Sequence, residues 1–176
     1  AHRWMDLSEN DYGVALLNDS KYGHEAKQHW MRLTLLKGSI SPDPKADLGT
    51  HYFNYALYPH LGDWRAGDVI GVATELNVPL YTCATALAPQ THSFIDCPAP
   101  NVTLEAVKRS EDGERLIVRL VERHNQRTRT TLTCHWPLTS ASRCDLMENP
   151  EAALQHDGHT VQVELQPCEI VTLALT

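Results

Sequence analysis

Short runs in which apolar and polar side chains alternate recur along the whole chain. A period of two places every second side chain on the same face of a β-strand, so each run predicts a strand with one face on a core. The clearest run covers residues 30–36, where three aliphatic side chains alternate with polar or aromatic ones. The other runs cover residues 14–17, 52–58, 102–108, 116–122, 130–136, 160–165 and 169–175. Eight strands in so short a chain predict a mainly β protein built from antiparallel β-sandwich segments.

The residues between these runs are typical of tight turns. Asp112-Gly113 lies between two alternating runs, and glycine adopts the positive φ that a hairpin turn requires. Asn125-Gln126 separates the next two runs, and Asp157-Gly158 precedes the last pair. The C-terminal third therefore predicts a meander of antiparallel strands that pair in sequence order.

One segment has a helical rather than a β period. Apolar side chains recur there at positions 69, 72, 73 and 76, which is the spacing of one helix face. Asp63 precedes the segment as a candidate N-cap, and Asn77 and Pro79 end it. We expect a single short helix.

A change in composition suggests two domains. Residues 84–100 contain Pro89, Pro98 and Pro100 and show little periodicity, which places a boundary near residue 99. Residues 1–98 then form part of a larger β-sandwich region with the short helix, and residues 99–176 form a small C-terminal β-sandwich domain.

Composition excludes several classes of protein. The chain has 42% hydrophobic and 21% charged residues, as globular proteins do, and its net charge of −7 disfavours nucleic acid as a partner. No run reaches the roughly 18 apolar residues that span a bilayer, so we expect no membrane segment. The five cysteines are widely spaced without a C-x-x-C motif, which favours reduced thiols and a cytoplasmic location.

Candidate catalytic groups do not form a recognisable set. The ten histidines lack the spacing of zinc ligands, and no local signature marks Cys83, Cys134 or Cys144 as a nucleophile paired with His92 or His135. A glycosidase needs two carboxylates across a cleft, and nothing singles out a pair from three candidates. These candidates are Asp19, Asp63 and Glu75. We expect neither catalytic residues nor a metal site within this chain.

A polar loop follows the run at residues 14–17. Its sequence, NDSKYG at residues 18–23, brings together Asn18, Asp19, Lys21 and Tyr22. Two carbonyl-type side chains, a cation and a phenol can hydrogen-bond the hydroxyls of a sugar. The same residues also suit a plain polar turn in which Gly23 takes a positive φ, and composition does not decide between the two readings.

Several long strings of the chain resemble one enzyme family. They are AHRWMDLSE (1–9), YGVALLNDSKYG (12–23), LTLL (33–36), SPDP (41–44), YALYPH (55–60), GDW (62–64), DLME (145–148) and VEL (163–165). These strings resemble glycoside hydrolase family 38 α-mannosidases of the cytosolic and vacuolar branch. The resemblance is densest before residue 64 and weakest from about residue 84 to 140.

The resemblance implies a C-terminal β-sandwich region of a retaining α-mannosidase that hydrolyses α-mannosides of oligosaccharides and N-glycans. It implies that the aspartate nucleophile and a zinc ion belong to barrel and helical regions outside this chain. The remainder of the enzyme and the α-mannoside substrate are then the partners of this chain. It also implies that the loop at residues 18–23 runs towards the active-site cleft, with Asn18, Asp19, Lys21 and Tyr22 as candidate substrate-binding residues.

Two alternatives predict different behaviour of the isolated chain. A self-sufficient carbohydrate-binding β-sandwich would stack sugar rings on exposed Trp4, Trp30 and Trp64 and on tyrosines, and would bind mannose without the rest of an enzyme. A metal or cysteine hydrolase would lose its activity to a chelator or a thiol reagent. The mannosidase reading predicts no turnover by the isolated chain, and an exposed apolar surface that makes it dimerise.

Overall fold

A computed structural model describes residues 1–86 and 90–176 of the chain. Pro89, one of the three prolines near the predicted boundary, lies outside the described residues. The chain divides into two compact units, Ala1–Thr85 and Ala86–Thr176. The domain boundary near residue 99 stays a prediction, although strand pairing within the second unit begins as early as Ile95.

The described residues form thirteen strands and one helix, which confirms the predicted mainly β fold class. The elements of the first unit are β1 (Trp4–Ser8), β2 (Tyr12–Asn18), β3 (His24–Lys27), β4 (Trp30–Leu33), β5 (Tyr55–Leu61) and α1 (Val69–Asn77). Those of the second unit are β6 (Ile95–Asp96), β7 (Val102–Arg109), β8 (Leu116–Glu122), β9 (Thr128–Cys134), β10 (Ala141–Cys144), β11 (Pro150–Ala153), β12 (Thr160–Leu165) and β13 (Ile170–Leu175).

The first unit is a three-stranded antiparallel sheet, in the order β1-β2-β5, with α1 against one face. Ala15 and Leu17 of β2 meet Val69 and Ala73 of α1 in a small buried core. Because successive side chains of a strand point to opposite faces, Val14 and Leu16 lie on the other face of the sheet. The separate β3-β4 hairpin lies on that side.

The second unit is a β-sandwich of a five-stranded sheet, ordered β11-β10-β13-β8-β7, and a three-stranded sheet, ordered β12-β9-β6. Alternate side chains of β8 and β13 from one sheet, and of β9 and β12 from the other, fill the space between them. Leu120, Leu132, Leu165 and Leu173 are fully buried in this core. Burial of such side chains stabilises a domain by about 1.5–3 kcal/mol each.

The Asp112-Gly113 hairpin is confirmed, because β7 and β8 pair antiparallel across it. The predicted meander is wrong. The β8 strand pairs with β7 and β13, whereas β9 lies in the other sheet with β12 and β6. Alternation shows which side of a strand is buried but not which strand lies beside it, and both sheets of a sandwich bury the same kind of face.

Some predicted elements differ in their extent. The run at residues 30–36 forms a strand only at Trp30–Leu33, and the run at residues 52–58 shifts to Tyr55–Leu61. Five short strands were not predicted, namely β1, β3, β6, β10 and β11. They have two to five residues, so an alternation of apolar and polar side chains is too short to be recognised in them.

The single short helix is confirmed, but its predicted N-cap is wrong. Asp68, not Asp63, is the N-cap residue, and its side chain accepts from the N–H of Gly71. Asp63 instead accepts from the backbone N–H of Arg65 and of Ala66, in the turn before the helix. Within the described residues, no helix is long and apolar enough to cross a membrane.

Candidate functional site

The loop at residues 18–23, called the site loop below, begins at the last residue of β2 and leads into β3. Two distant parts of the first unit hold it. The Asn77 side chain, at the end of α1, donates to the Asn18 carbonyl at 3.0 Å. The Asp19 N–H donates to the Asn54 carbonyl, just before β5, at 3.2 Å. The loop is therefore attached to the end of the helix and to the segment that leads into β5.

The buried side chain of Asn18 holds the backbone of the loop in place. This side chain is fully buried, and its Oδ1 accepts from the N–H of Ser20 at 3.2 Å and of Lys21 at 2.6 Å. Its Nδ2 donates to Nε2 of His24 at 3.0 Å and to the His2 carbonyl at 3.3 Å. This is the Asx-turn geometry for which asparagine is favoured. Both ends of the amide are used within the unit.

Asp19 lies at the exposed surface of the loop. Its Oδ2 accepts from the N–H and the side-chain Nδ2 of Asn54, at 3.0 and 2.7 Å, and its Oδ1 accepts from the Ser20 hydroxyl at 2.9 Å. The Asn54 backbone hydrogen bond, followed by those of the Ser20 and Asn54 side chains, lowers the pKa of Asp19. An ionised carboxylate has about four acceptor positions, so Asp19 keeps capacity for another donor.

Lys21 and Tyr22 follow on the same loop. The Lys21 Nζ lies 4.5 Å from the centre of the Phe53 ring, a cation–π contact that positions the ammonium group. The Tyr22 ring lies 4.9 Å from the His2 ring and is 65% exposed. The structure thus places an anion, a cation and a phenol side by side on an exposed loop. Such a set can donate to and accept from the hydroxyls of a polyol.

The substrate-binding role of Asn18, Asp19, Lys21 and Tyr22 stays a prediction. The structure adds the partners that position them, Phe53, Asn54 and Asn77, which the sequence did not indicate. These residues lie 30 to 60 positions along the chain from the loop. No local pattern signals a contact over such a separation without knowledge of strand pairing.

The other candidate groups are dispersed. In the described part of the chain, no three His, Cys, Asp or Glu side chains come together in a way that could hold a metal ion. All five cysteines are free thiols, and burial raises the pKa of the Cys134 thiol to about 11. A thiol with a raised pKa is protonated at neutral pH, which is the opposite of what a nucleophile needs.

None of the three tryptophans proposed as exposed sugar-stacking platforms, Trp4, Trp30 and Trp64, is exposed, so that prediction is wrong. Trp4 and Trp64 are half-buried, with ring centres 5.5 Å apart, and both pack against the core between β2 and α1. Trp30 is also half-buried, and the Arg32 guanidinium lies 4.0 Å from its ring centre. The apolar surfaces of Trp4 and Trp64 are therefore buried in the folding of the first unit.

An apolar groove of about 790 Å³ lies on the face of the first sheet opposite α1. It is lined mainly by aliphatic and aromatic side chains of β1, β2, β4 and β5, among them Leu7, Val14, Met31, Tyr55 and Leu57. Leu57 is 67% exposed although it occupies the middle of a strand. Apolar patches of this kind usually mark a surface that another protein segment covers.

Comparison with known protein families gives two matches, at opposite ends of the chain. Residues 1–45 match the glycosyl hydrolases family 38 C-terminal domain. Residues 101–173 match the glycosyl hydrolases family 38 C-terminal β-sandwich domain. The second match lies within the second compact unit, and the first includes the site loop.

Curated relatives align with nearly the whole chain. Alpha-mannosidase 2C1 of Homo sapiens is 39% identical over 99% of the chain, and alpha-mannosidase G of Dictyostelium discoideum is 34% identical over 97%. The chain spans only 18% and 16% of the length of these relatives. Among solved structures, an alpha-mannosidase from Enterococcus faecalis V583 has the same fold, with a TM-score of 0.78 at 21% identity. That similarity covers all of this chain and 21% of the solved one.

Proposed function

Because this chain belongs to the C-terminal region of glycosyl hydrolase family 38, we propose that it forms the C-terminal part of a retaining α-mannosidase. The full-length enzyme would hydrolyse α-mannosides of oligosaccharides and N-glycans. The observation that carries the proposal is the alignment of nearly the whole chain with proteins named as α-mannosidases at 34–39% identity. The chain alone is inactive in this proposal, because the proposed nucleophile belongs to another part of the enzyme.

The nucleophile and the zinc ion of the proposed enzyme belong to parts of the protein outside this chain. The described residues offer no ligand set for a metal. The contribution of this chain is to complete the substrate cleft and to support the catalytic regions. The five free thiols favour a reducing compartment, which supports a cytoplasmic location for the enzyme.

The site loop is the part of the chain that faces the substrate in this proposal. Asp19, Lys21 and Tyr22 present the polar groups, and the buried Asn18 amide fixes the backbone that carries them. Interactions between a charged group and a hydroxyl contribute about 1.5–3 kcal/mol each. The anion and the cation would therefore bind neighbouring hydroxyls of a mannose ring.

We expect the double variant Asp19→Ala, Lys21→Ala of the full-length enzyme to lower kcat/KM for an α-mannobiose by roughly tenfold or more. The reason is the loss of charged hydrogen-bonding groups that the substrate contacts. Steady-state kinetics on the purified enzyme measures this. The matched control is Glu25→Ala, Lys27→Ala on β3, which also removes one exposed acid and one exposed base. Equal kcat/KM values for the two double variants would remove the substrate-binding role.

The apolar groove is the surface on which the rest of the enzyme packs in this proposal. Two observations support it. Tyr55 and Leu57, which line the groove, are 57% and 67% exposed, and the relatives extend far beyond the length of this chain. A packed segment there would give Tyr55 and Leu57 the contacts that other strand residues have. In the isolated chain the groove is left open to self-association.

The isolated chain is therefore expected to dimerise through the groove, and Leu57→Glu is expected to make it monomeric. A carboxylate in the middle of an apolar contact must be desolvated, which costs several kcal/mol. Light scattering at high protein concentration measures the mass. Leu80→Glu is the control, because Leu80 is 94% exposed and does not line the groove. A wild-type chain that stays monomeric at high concentration contradicts this prediction.

A further inference from the structure

The second unit carries an aromatic pair at the end of its three-stranded sheet. The rings of Phe94 and Trp136 are stacked, with centres 4.4 Å apart and an interplanar angle of 19°. Trp136 is half-buried and packs against the sandwich core, whereas Phe94 is 55% exposed. Trp136 thus stacks on one face of the Phe94 ring, and about half of the Phe94 surface is exposed to solvent.

An acid and an imidazole lie next to this pair. Oδ2 of Asp96 and Nε2 of His135 are 2.6 Å apart, and both side chains are about half exposed. Hydrogen bonds from Ser93 and then from His135 lower the pKa of Asp96. Ile95 is buried in the core, so Asp96 lies on the outer face of the sheet. The His135 N–H donates to the Phe94 carbonyl at 3.2 Å, which places the acid and the imidazole at the same end of the sheet as the aromatic pair.

The same face continues as polar sheet surface. On β9, Thr131 and Thr133 alternate with buried residues, and Gln162 of β12 donates to the Thr131 hydroxyl at 2.9 Å. The pairing brings Asp96 opposite Thr133 on this face. An exposed aromatic ring thus lies at the same end of the sheet as carboxylate, imidazole and hydroxyl groups.

This combination is suited to a neutral sugar. The face of an aromatic ring carries partial negative charge and attracts the weakly positive C–H groups on one side of a pyranose. Carboxylate and imidazole groups at the rim can accept from and donate to its hydroxyls. An anionic ligand would instead meet the Asp96 carboxylate and a chain with a net charge of −7.

We propose that Phe94, Asp96 and His135 form a second glycan-binding site, separate in sequence from the site loop, that binds an α-mannoside by stacking it on Phe94. The choice of mannose rests on the proposed function, since it is the sugar that the full-length enzyme would process. The stacking geometry itself does not depend on that function. The site would hold one arm of a branched oligosaccharide while another arm is hydrolysed.

Titration of the 176-residue chain with methyl α-D-mannopyranoside and with α-mannobiose tests the proposal, followed by calorimetry and by NMR. We expect saturable binding with a Kd of about 1 mM, as suits one stacked ring with a few hydrogen bonds. Phe94→Ala is expected to weaken binding roughly tenfold, because the stacking surface is lost. Asp96→Asn keeps the shape of the side chain and is expected to weaken binding several-fold by removing the charge.

Tyr81→Ala is the matched control, since Tyr81 is an aromatic side chain of the first unit that is 97% exposed. It should bind mannoside like the wild type. Absence of saturable binding by the wild-type chain, or equal affinity of wild type and Phe94→Ala, would overturn the site. Binding of a glucoside but not of a mannoside would overturn the assigned ligand.

Kinetics of the full-length enzyme distinguish a failure of the second glycan-binding site from a failure of the proposed mannosidase function. There, Phe94→Ala should leave kcat/KM for methyl α-D-mannopyranoside unchanged and raise KM for a branched oligomannoside. If the enzyme hydrolyses no α-mannoside at all, the proposed function fails whether or not the isolated chain binds sugar. Unchanged KM for both substrates, with intact hydrolysis, counts against the second site alone.

Discussion

Replacing Glu122 with glutamine is expected to lower the free energy of unfolding of the second unit by about 3 kcal/mol at neutral pH. Glu122 ends β8 and is among the most deeply buried side chains of the unit. Its Oε1 accepts from the Asn101 side chain at 2.8 Å and from the His124 N–H at 2.7 Å. Its Oε2 accepts from the N–H groups of Gln126 and Cys168 at 3.2 and 2.8 Å.

The four hydrogen bonds explain the size of the effect. They join the end of β8 to the turn before β9, to the turn before β13 and to the start of β7. Glutamine has the same shape but presents an NH₂ group in place of one oxygen, and that group faces N–H donors. At least one backbone N–H then loses its acceptor inside the protein, and each such loss costs about 1–3 kcal/mol.

The same carboxylate makes the second unit sensitive to acid. Burial alone would raise the pKa of Glu122, but hydrogen bonds from the Asn101 side chain and from three backbone N–H groups outweigh it and lower the pKa to about 2. A carboxylate whose folded pKa is depressed stabilises the fold above its unfolded pKa, and this contribution is lost as pH falls towards the folded value. We expect the loss between about pH 4.5 and pH 2, amounting to about 3 kcal/mol.

Urea unfolding at pH 7 and pH 3, with hydrogen exchange measured on peptides from β8 and β13, detects both effects. The control is Glu164→Gln on β12, whose exposed carboxylate forms an ion pair with the exposed Arg129 guanidinium at 2.8 Å. Such pairs contribute about 0–1 kcal/mol. If Glu122→Gln and Glu164→Gln unfold at the same urea concentration, Glu122 does not hold these turns together. An unchanged acid dependence in Glu122→Gln would contradict the pKa argument.

Most of the β-structure could be predicted from alternation because a strand with one buried face must alternate. The runs at residues 116–122 and 160–165 match β8 and β12 at both ends. Pairing could not be predicted in the same way. Val118 of β8 and Leu132 of β9 both face the core, and nothing local distinguishes a neighbour in the same sheet from one across the sandwich.

The position of the site loop could be predicted from its composition, but the geometry of the loop could not be predicted. Asn18 and Asp19 look equivalent in sequence as carbonyl-type side chains, yet the first is buried and the second is exposed. Asn18 is the last residue of β2, paired opposite Tyr55, and its side chain accepts from N–H groups of the loop, whereas Asp19 lies beyond the end of the strand. The Phe94 and Asp96 surface was not predicted, because β6 has only two residues and the residues it pairs with lie 37 and 39 positions further along the chain.

The second large effect on the free energy of unfolding is expected from a buried pair of side chains in the first unit. Nε2 of His60 on β5 lies 2.7 Å from Oδ1 of Asp6 on β1, and both side chains are almost completely buried. The two strands are not neighbours, because β2 lies between them. The imidazole fits there because Gly13 and Gly67 flank it. A Cβ on either glycine would come within 2.4–2.5 Å of the ring.

Asp6→Ala is therefore expected to lower the free energy of unfolding of the first unit by about 3 kcal/mol, because it leaves a buried imidazole without an acceptor. Nδ1 of His60 already has no partner among the described residues, so neither ring nitrogen would be satisfied. Asp6→Asn keeps an acceptor oxygen and should lower the free energy of unfolding by less.

Urea unfolding followed by the fluorescence of Trp4 and Trp64, which pack beside β2 and α1, measures the change. Asp11→Ala, at an exposed position in the turn between β1 and β2, is the control. Values for Asp6→Ala and Asp11→Ala within about 0.5 kcal/mol of each other would contradict the prediction. Since β2 also carries Asn18, loosening this pair should lower the hydrogen-exchange protection of the site loop as well.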